Sequence, residues 1–111
     1  MTSKGAVNSL TQSIAMEFAA KGIRCNAVLP GLIATPLVRN MLIQAGRTNE
    51  DQIEAAMAQR HAASPTGHMG ESWDVAHTVA FLLSDRAKYV NGQLLGVDAG
   101  LPAGRCAAGC P

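Results

Sequence analysis

The sequence predicts an α/β fold with two parallel strands joined by a helical crossover. Three observations carry this. Val7, Leu10, Ile14 and Phe18 recur at helical spacing ahead of an alternating segment at 23–29. A second helical stripe, with Val75, Val79, Leu82 and Leu83, precedes a Leu- and Val-rich segment at 93–98. The alternating segment stops at Pro30-Gly31, and the tight turn Asn91-Gly92 opens the second segment. A helix running straight into a strand is half of an α/β unit, and strands joined through a helix are expected to be parallel with a right-handed connection. The chain has 111 residues, which is one domain at most.

Composition narrows the class without naming a chemistry. Apolar types make up 48% of the chain and charged types 15%, which excludes a disordered tail and suits a globular piece. Nine basic against eight acidic residues leave a net charge of +1, so no strong field draws nucleic acid or an anionic membrane surface. No window approaches the roughly 20 unbroken apolar residues of a membrane span. Met1-Thr2-Ser3-Lys4-Gly5 lacks the apolar stretch of a secretory signal. The expectation is a soluble, cytoplasmic protein.

Three cysteines are too few, and odd in number, for a disulfide framework. Cys25 lies in an apolar segment, the usual setting of an inert thiol. Cys106 and Cys110 form a C-x-x-x-C pair in the tail, incidental or a chance disulfide under oxidation; no metal ligand set accompanies them.

The elements follow in order. Residues 3–22 read as a helix closing at Lys21 and Gly22. Its four large apolar residues must find a partner surface, and burying them would contribute roughly 6–12 kcal/mol. Residues 23–29 alternate as a strand. Thr35-Pro36 interrupts regular structure, because a residue before proline avoids the helical region. Short helices are expected over 37–45 and, opened by a capping box of Thr48 with Asp51, through Arg60. Together they make a lid-like region over 36–69, with Met41, Leu42, Met57 and Met69 suited to an apolar pocket or to simple packing, and Trp73 as its anchor. A broad helix over 71–84 starts with Glu71 and Asp74, which complement the dipole. A loose turn at 85–90, the tight turn Asn91-Gly92 and a strand over 93–98 follow. Residues 102–111 have no period and read as a flexible tail. His61 and His68 read as surface-loop residues and His77 as a packed or half-exposed one; none is spaced as a metal ligand. Two strands leave two open edges, so the pattern looks like one end of a larger sheet.

Four markers in this order resemble the short-chain dehydrogenase/reductase family. Ser3-Lys4-Gly5-Ala6 is similar to the end of its Tyr-x-x-x-Lys motif and the helix beyond. Ile23-Arg24-Cys25-Asn26-Ala27-Val28-Leu29-Pro30-Gly31 resembles the strand ending in the family's Pro-Gly, and Leu32-Ile33-Ala34-Thr35-Pro36 the cofactor-contacting turn after it. The stretch from Gly92 to Gly100 resembles the final strand, with Val97-Asp98-Ala99-Gly100 in place of Val-Asp-Gly-Gly. The resemblance implies the C-terminal portion of a Rossmann-type doubly wound parallel sheet over residues 1–101. It also implies that the chain begins one residue after the motif tyrosine; Tyr89 cannot take that place. The glycine-rich phosphate turn, the residue choosing NAD or NADP, and the catalytic serine and asparagine are not in the sequence.

The activity so implied is hydride transfer between a nicotinamide cofactor, NAD or NADP without distinction, and an alcohol or ketone at a CH–OH group. Lys4 is then the catalytic residue. Its ammonium about 4 Å from the phenol is worth around 4 kcal/mol at an effective dielectric of about 20, which brings the phenolate into the neutral range. It would also bind the ribose hydroxyls of the cofactor. Read by itself, Lys4 is a solvated lysine in a first helical turn. Pro30 and Gly31 would form the strand-ending bend, with Gly31 letting backbone approach a flat ring. Ile33 would offer backbone groups to the carboxamide. Thr35 would place its hydroxyl near the carboxamide or the diphosphate, or make a local turn bond. No metal enters this scheme. The resemblance further implies a homo-oligomer, a dimer or tetramer. The alternative is a non-catalytic piece that serves only in oligomerisation, and the 111-residue chain alone is expected to be inactive.

Overall fold

The computed structural model describes residues 2–101. Helix α1, Thr2–Phe18, is followed by one 3₁₀ turn, Ala19–Lys21, closed by Gly22 at φ 75°. That left-handed conformation costs glycine nothing because it has no Cβ. Strand β1 is Ala27–Pro30 and strand β4 is Leu94–Val97, and they pair in parallel with Ala27 opposite Leu94 and Pro30 opposite Val97. Between them lie β2 (Ile33–Ala34), α2 (Pro36–Gln44), α3 (Glu50–Ala63), β3 (Gly70–Glu71) and α4 (Ser72–Leu83). The expected alternation of helices with a parallel pair is present.

The first strand is shorter than the alternation at 23–29 implies. Residues 23–26 approach β4's chain but meet a turn instead of a strand. Cys25 N–H donates to the Asn91 side chain at 2.9 Å, and the Cys25 carbonyl accepts from Gly92 N–H at 2.8 Å. Gly92, at φ 71°, bends the partner chain out of ladder geometry, so pairing starts only at Ala27, whose N–H donates to the Gln93 carbonyl at 2.8 Å.

The intervening region holds two helices and a ladder that no periodicity announced. Helix α2 starts at Pro36 behind Thr35, and α3 starts behind Asn49, whose Oδ1 accepts from Gln52 N–H at 2.8 Å. The box expected of Thr48 and Asp51 is therefore displaced by one residue, and α3 runs to Ala63 rather than Arg60. Leu42, Ile53 and Ala56 pack together with Met57 at their margin, and Arg39 pairs with Glu50 across the two helices. At the base of this hairpin β2 and β3 pair in parallel, Ile33 opposite Gly70 and Ala34 opposite Glu71. Two residues per strand are too few to leave a periodic trace.

Helix α4 opens as its acids suggest: Asp74 Oδ2 accepts from Glu71 N–H at 2.7 Å. Its far end is held by Arg24, whose guanidinium donates to the carbonyls of Ser84 and Val90 at 3.4 and 3.3 Å. A cation at a helix C-terminus also complements the dipole.

Two packing expectations fail. The stripe of α1 is buried only in part: Val7 and Leu10 are each 58% exposed and Ile14 and Phe18 half-buried, while the residues turned fully inward are Thr11 and Ala15. Small residues face in because the Asn91-Gly92 backbone runs directly against that side of the helix. Trp73 does not anchor the lid; it is 69% exposed, with its ring tilted against that of His77 and the centroids 5.8 Å apart. The 102–111 segment, with Cys106 and Cys110, lies outside the described residues. Among the described residues no helix is long and apolar enough to cross a membrane.

Candidate active site

The carboxyl ends of β1 and β4 form a rim on which four of the five candidate residues sit in succession. Pro30 closes β1, and Gly31 N–H donates to the Val97 carbonyl at 2.9 Å, which carries the register one step past the strand. Gly31 is glycine for a reason of space. A Cβ there would lie 2.7 Å from both Cα and Cβ of Asp98, the residue following β4. Its missing side chain thus admits Asp98, where the sequence suggested approach to a flat ring.

Asp98 shapes the other half of the rim. Its Oδ1 accepts from Gly100 N–H and its carbonyl from Leu101 N–H, both at 2.9 Å. This tight turn forces Ala99 to φ 56° and Gly100 to φ 88°. Ala99 is the non-glycine residue in that region, at a position where the family pattern has glycine.

Beyond Gly31 the chain is pinned by the neck of the hairpin. Gly70 N–H donates to the Leu32 carbonyl at 2.9 Å, and a Cβ on Gly70 would lie 2.9 Å from Ile33 Cδ1. Ile33 is half-buried in β2. Thr35 is extended (φ −134°, ψ 158°) and caps α2: its Oγ1 accepts from Val38 N–H at 3.4 Å. The local turn bond is therefore made. A hydroxyl that accepts still keeps its own proton to donate.

Lys4 stands apart. It is exposed in the first turn of α1, and among the described residues its side chain makes no hydrogen bond or ion pair with the rim. The structure thus gathers Pro30, Gly31, Ile33 and Thr35 and leaves Lys4 on a separate helix. Asp98 and Gly70 were missed as parts of the site. Asp98 stood within a quoted motif, but its contact with Gly31 joins positions 67 residues apart in sequence.

Two of the three histidines meet the backbone around Met69. Met69 N–H donates to His61 Nδ1 at 3.0 Å, placing His61 on α3 rather than in a surface loop, and His68 Nδ1 lies 3.2 Å from the Met69 carbonyl. His77 is exposed beside Trp73. Among the described residues no three His, Cys, Asp or Glu side chains converge as metal ligands.

A family model described as enoyl-(acyl carrier protein) reductase matches residues 1–102. A solved short chain dehydrogenase family protein from Francisella tularensis superposes with a TM-score of 0.81 at 33% identity, over 89% of this chain and 41% of that one. The chain belongs to the short-chain dehydrogenase/reductase family. Its α/β fold is the family's Rossmann-like one. Relatives include the 7alpha-hydroxysteroid dehydrogenase of Bacteroides fragilis, 46% identical over 99 residues, covering 89% of this chain and 34% of that protein. The (3R)-3-hydroxyacyl-CoA dehydrogenase of Mus musculus is 42% identical over 100 residues, covering 90% and 34%. The ligand-free aldohexose dehydrogenase of Thermoplasma acidophilum superposes with a TM-score of 0.83 at 41% identity, covering 90% and 39%. The chain spans about a third of the length of the curated relatives it matches. The family's L-sorbose reductase from Gluconobacter frateurii was solved in complex with NADPH and L-sorbose; it shares 26% identity and a TM-score of 0.81 over 89% of this chain and 38% of that one.

Proposed function

We propose that this chain is the C-terminal part of a nicotinamide-dependent oxidoreductase acting on an alcohol or carbonyl substrate. The observation that carries the reading is the rim at the paired carboxyl ends of β1 and β4. Ligands of open α/β sheets bind beyond the carboxyl ends of strands. The family's dehydrogenases and reductases support the same chemistry.

The residues present suit a nicotinamide cofactor. Thr35 keeps a hydroxyl proton for an amide or phosphate oxygen, and the bend at Pro30 and Gly31 sets the backbone of Ile33 at the rim. When bound, the cofactor gives or takes the hydride. The chain's own part is to bind and to hold protons. Thr35 and the backbone of Ile33 would orient the nicotinamide carboxamide, fixing which ring face meets substrate. Lys4, exposed and unpaired among the described residues, would donate to the ribose hydroxyls and hold its positive charge beside a phenol, favouring the phenolate. NAD and NADP both fit this part of the site. The exposed apolar residues of α1, Val7, Leu10 and Met16, support association with further protein, as in a homo-oligomer.

The test is hydride transfer, followed at the reduced-nicotinamide absorbance band with a panel of alcohols and ketones. The protein is assayed at the length its source produces. Turnover that Lys4→Met removes supports the reading; absence of turnover across the panel with either cofactor overturns it.

A further inference from the structure

The turn at Asn91 and Gly92 joins three segments. Asn91 Oδ1 accepts from Cys25 N–H at 2.9 Å, and Asn91 Nδ2 donates to the Ala15 carbonyl of α1 at 3.0 Å. Gly92 N–H donates to the Cys25 carbonyl at 2.8 Å. Gly92 also lies flat against the helix, where a Cβ would come within 3.3 Å of Ala15 Cβ. Ala15 is 2% exposed, so this contact is the best buried point of α1.

Little else orients the helix on the sheet. Val7 and Leu10 are more than half exposed, Met16 is 83% exposed, and Ile14 and Phe18 are only half-buried, so no large side chain of α1 is fully buried in seating it. Thr11, the other buried residue, spends its hydroxyl on Val7's carbonyl within the same helix. Among the described residues, the Asn91 amide makes the one side-chain hydrogen bond that reaches α1 from outside it.

We propose that Asn91 is a positioning residue for Lys4: by gripping Ala15 and Cys25 together it sets the direction of α1, and with it the place of the lysine relative to the Pro30–Gly31 bend. The proposal rests on the reading of Lys4 given above. The geometry makes the grip a pivot near one end of a lever. Lys4 lies 11 residues before Ala15, about 16 Å along the helix axis at the helical rise. A tilt of about 10° at the pivot therefore moves Lys4 by roughly 3 Å. Misplacements of about 1 Å are enough to cost about a hundredfold in rate.

Asn91→Asp keeps the acceptor toward Cys25 and replaces the donor toward Ala15 by a second acceptor. Asn91→Ala removes both groups without adding charge, and keeps the question answerable should the aspartate variant fail to fold. Both are assayed with Lys4→Met and the unsubstituted protein, at the length the source produces, as kcat, KM and pH–rate profile. The expected result is a kcat lowered by about tenfold or more, with the KM for the alcohol or ketone altered far less. The acidic limb of the profile should also move to higher pH, since a more distant ammonium stabilises the phenolate less. A loss of stability with kcat and the limb unchanged overturns the proposal and leaves the reading of Lys4 intact. If Lys4→Met leaves turnover and the limb untouched, or the unsubstituted protein transfers no hydride, the underlying reading falls and the proposal with it.

Discussion

Gly31 and Asp98 touch across the ends of the two parallel strands, so closely that a Cβ on Gly31 would stand 2.7 Å from the Asp98 Cα. The obstructing atoms include backbone, which cannot rotate aside. Gly31→Ala is expected to push the strand ends apart and to destabilise the fold by about 1–3 kcal/mol, the usual cost of overpacking. Equilibrium urea unfolding of the source-length protein measures this. An unchanged midpoint would show that the rim is looser than this contact requires.

Ala99 makes the opposite prediction. At φ 56° it occupies the left-handed region, which costs an L-residue roughly 1–2 kcal/mol. Glycine would remove that cost and return about 0.4–1 kcal/mol of unfolded-state entropy to the other side. Ala99→Gly should therefore raise the unfolding free energy by a net of up to about 1 kcal/mol, seen as a higher midpoint with the denaturant slope unaltered. A fall in stability would mean that the Asp98 turn is not strained.

The hairpin of α2 and α3 has its own small core, separate from the β1–β4 pair. Leu42, 5% exposed against Ile53 and Ala56, is its largest contribution from α2. Leu42→Ala should cost about 2–5 kcal/mol locally. In amide hydrogen exchange, protection should be lost over α2 and α3 and kept over β1 and β4. Equal loss in both places would show that hairpin and sheet unfold as one unit.

By itself the 111-residue chain is expected to associate. The neighbours of β1 and β4 on their outer edges are absent among the described residues, and Val7, Leu10 and Met16 present apolar surface. Open strand edges and such patches favour self-association. Light scattering at several concentrations checks this, and a monodisperse monomer would contradict it.

Much of the rim was legible because its residues are contiguous. Pro30 through Thr35 carry their turn chemistry locally, so a bend followed by a helix start follows from residue types alone. The acids at the start of α4 were legible for the same reason, though as dipole complements, and the bond from Glu71 N–H to Asp74 is what the structure adds. The start of α3 was misplaced by one residue, since Thr48 and Asn49 are both good caps and only the chain's approach from α2 decides between them. The β2–β3 neck left no signal, because its four residues share hydrogen bonds and no hydrophobic pattern.

What the sequence by itself determined was the order and type of the main elements, since spacing of apolar residues depends on the backbone period and on nothing distant. Only the tertiary structure decided which side of α1 turns inward, why position 31 must lack a side chain, and how Asn91 came to hold a helix and a strand together. Those are contacts between positions far apart along the chain. Their partners are chosen by packing in three dimensions, which a one-dimensional pattern does not record.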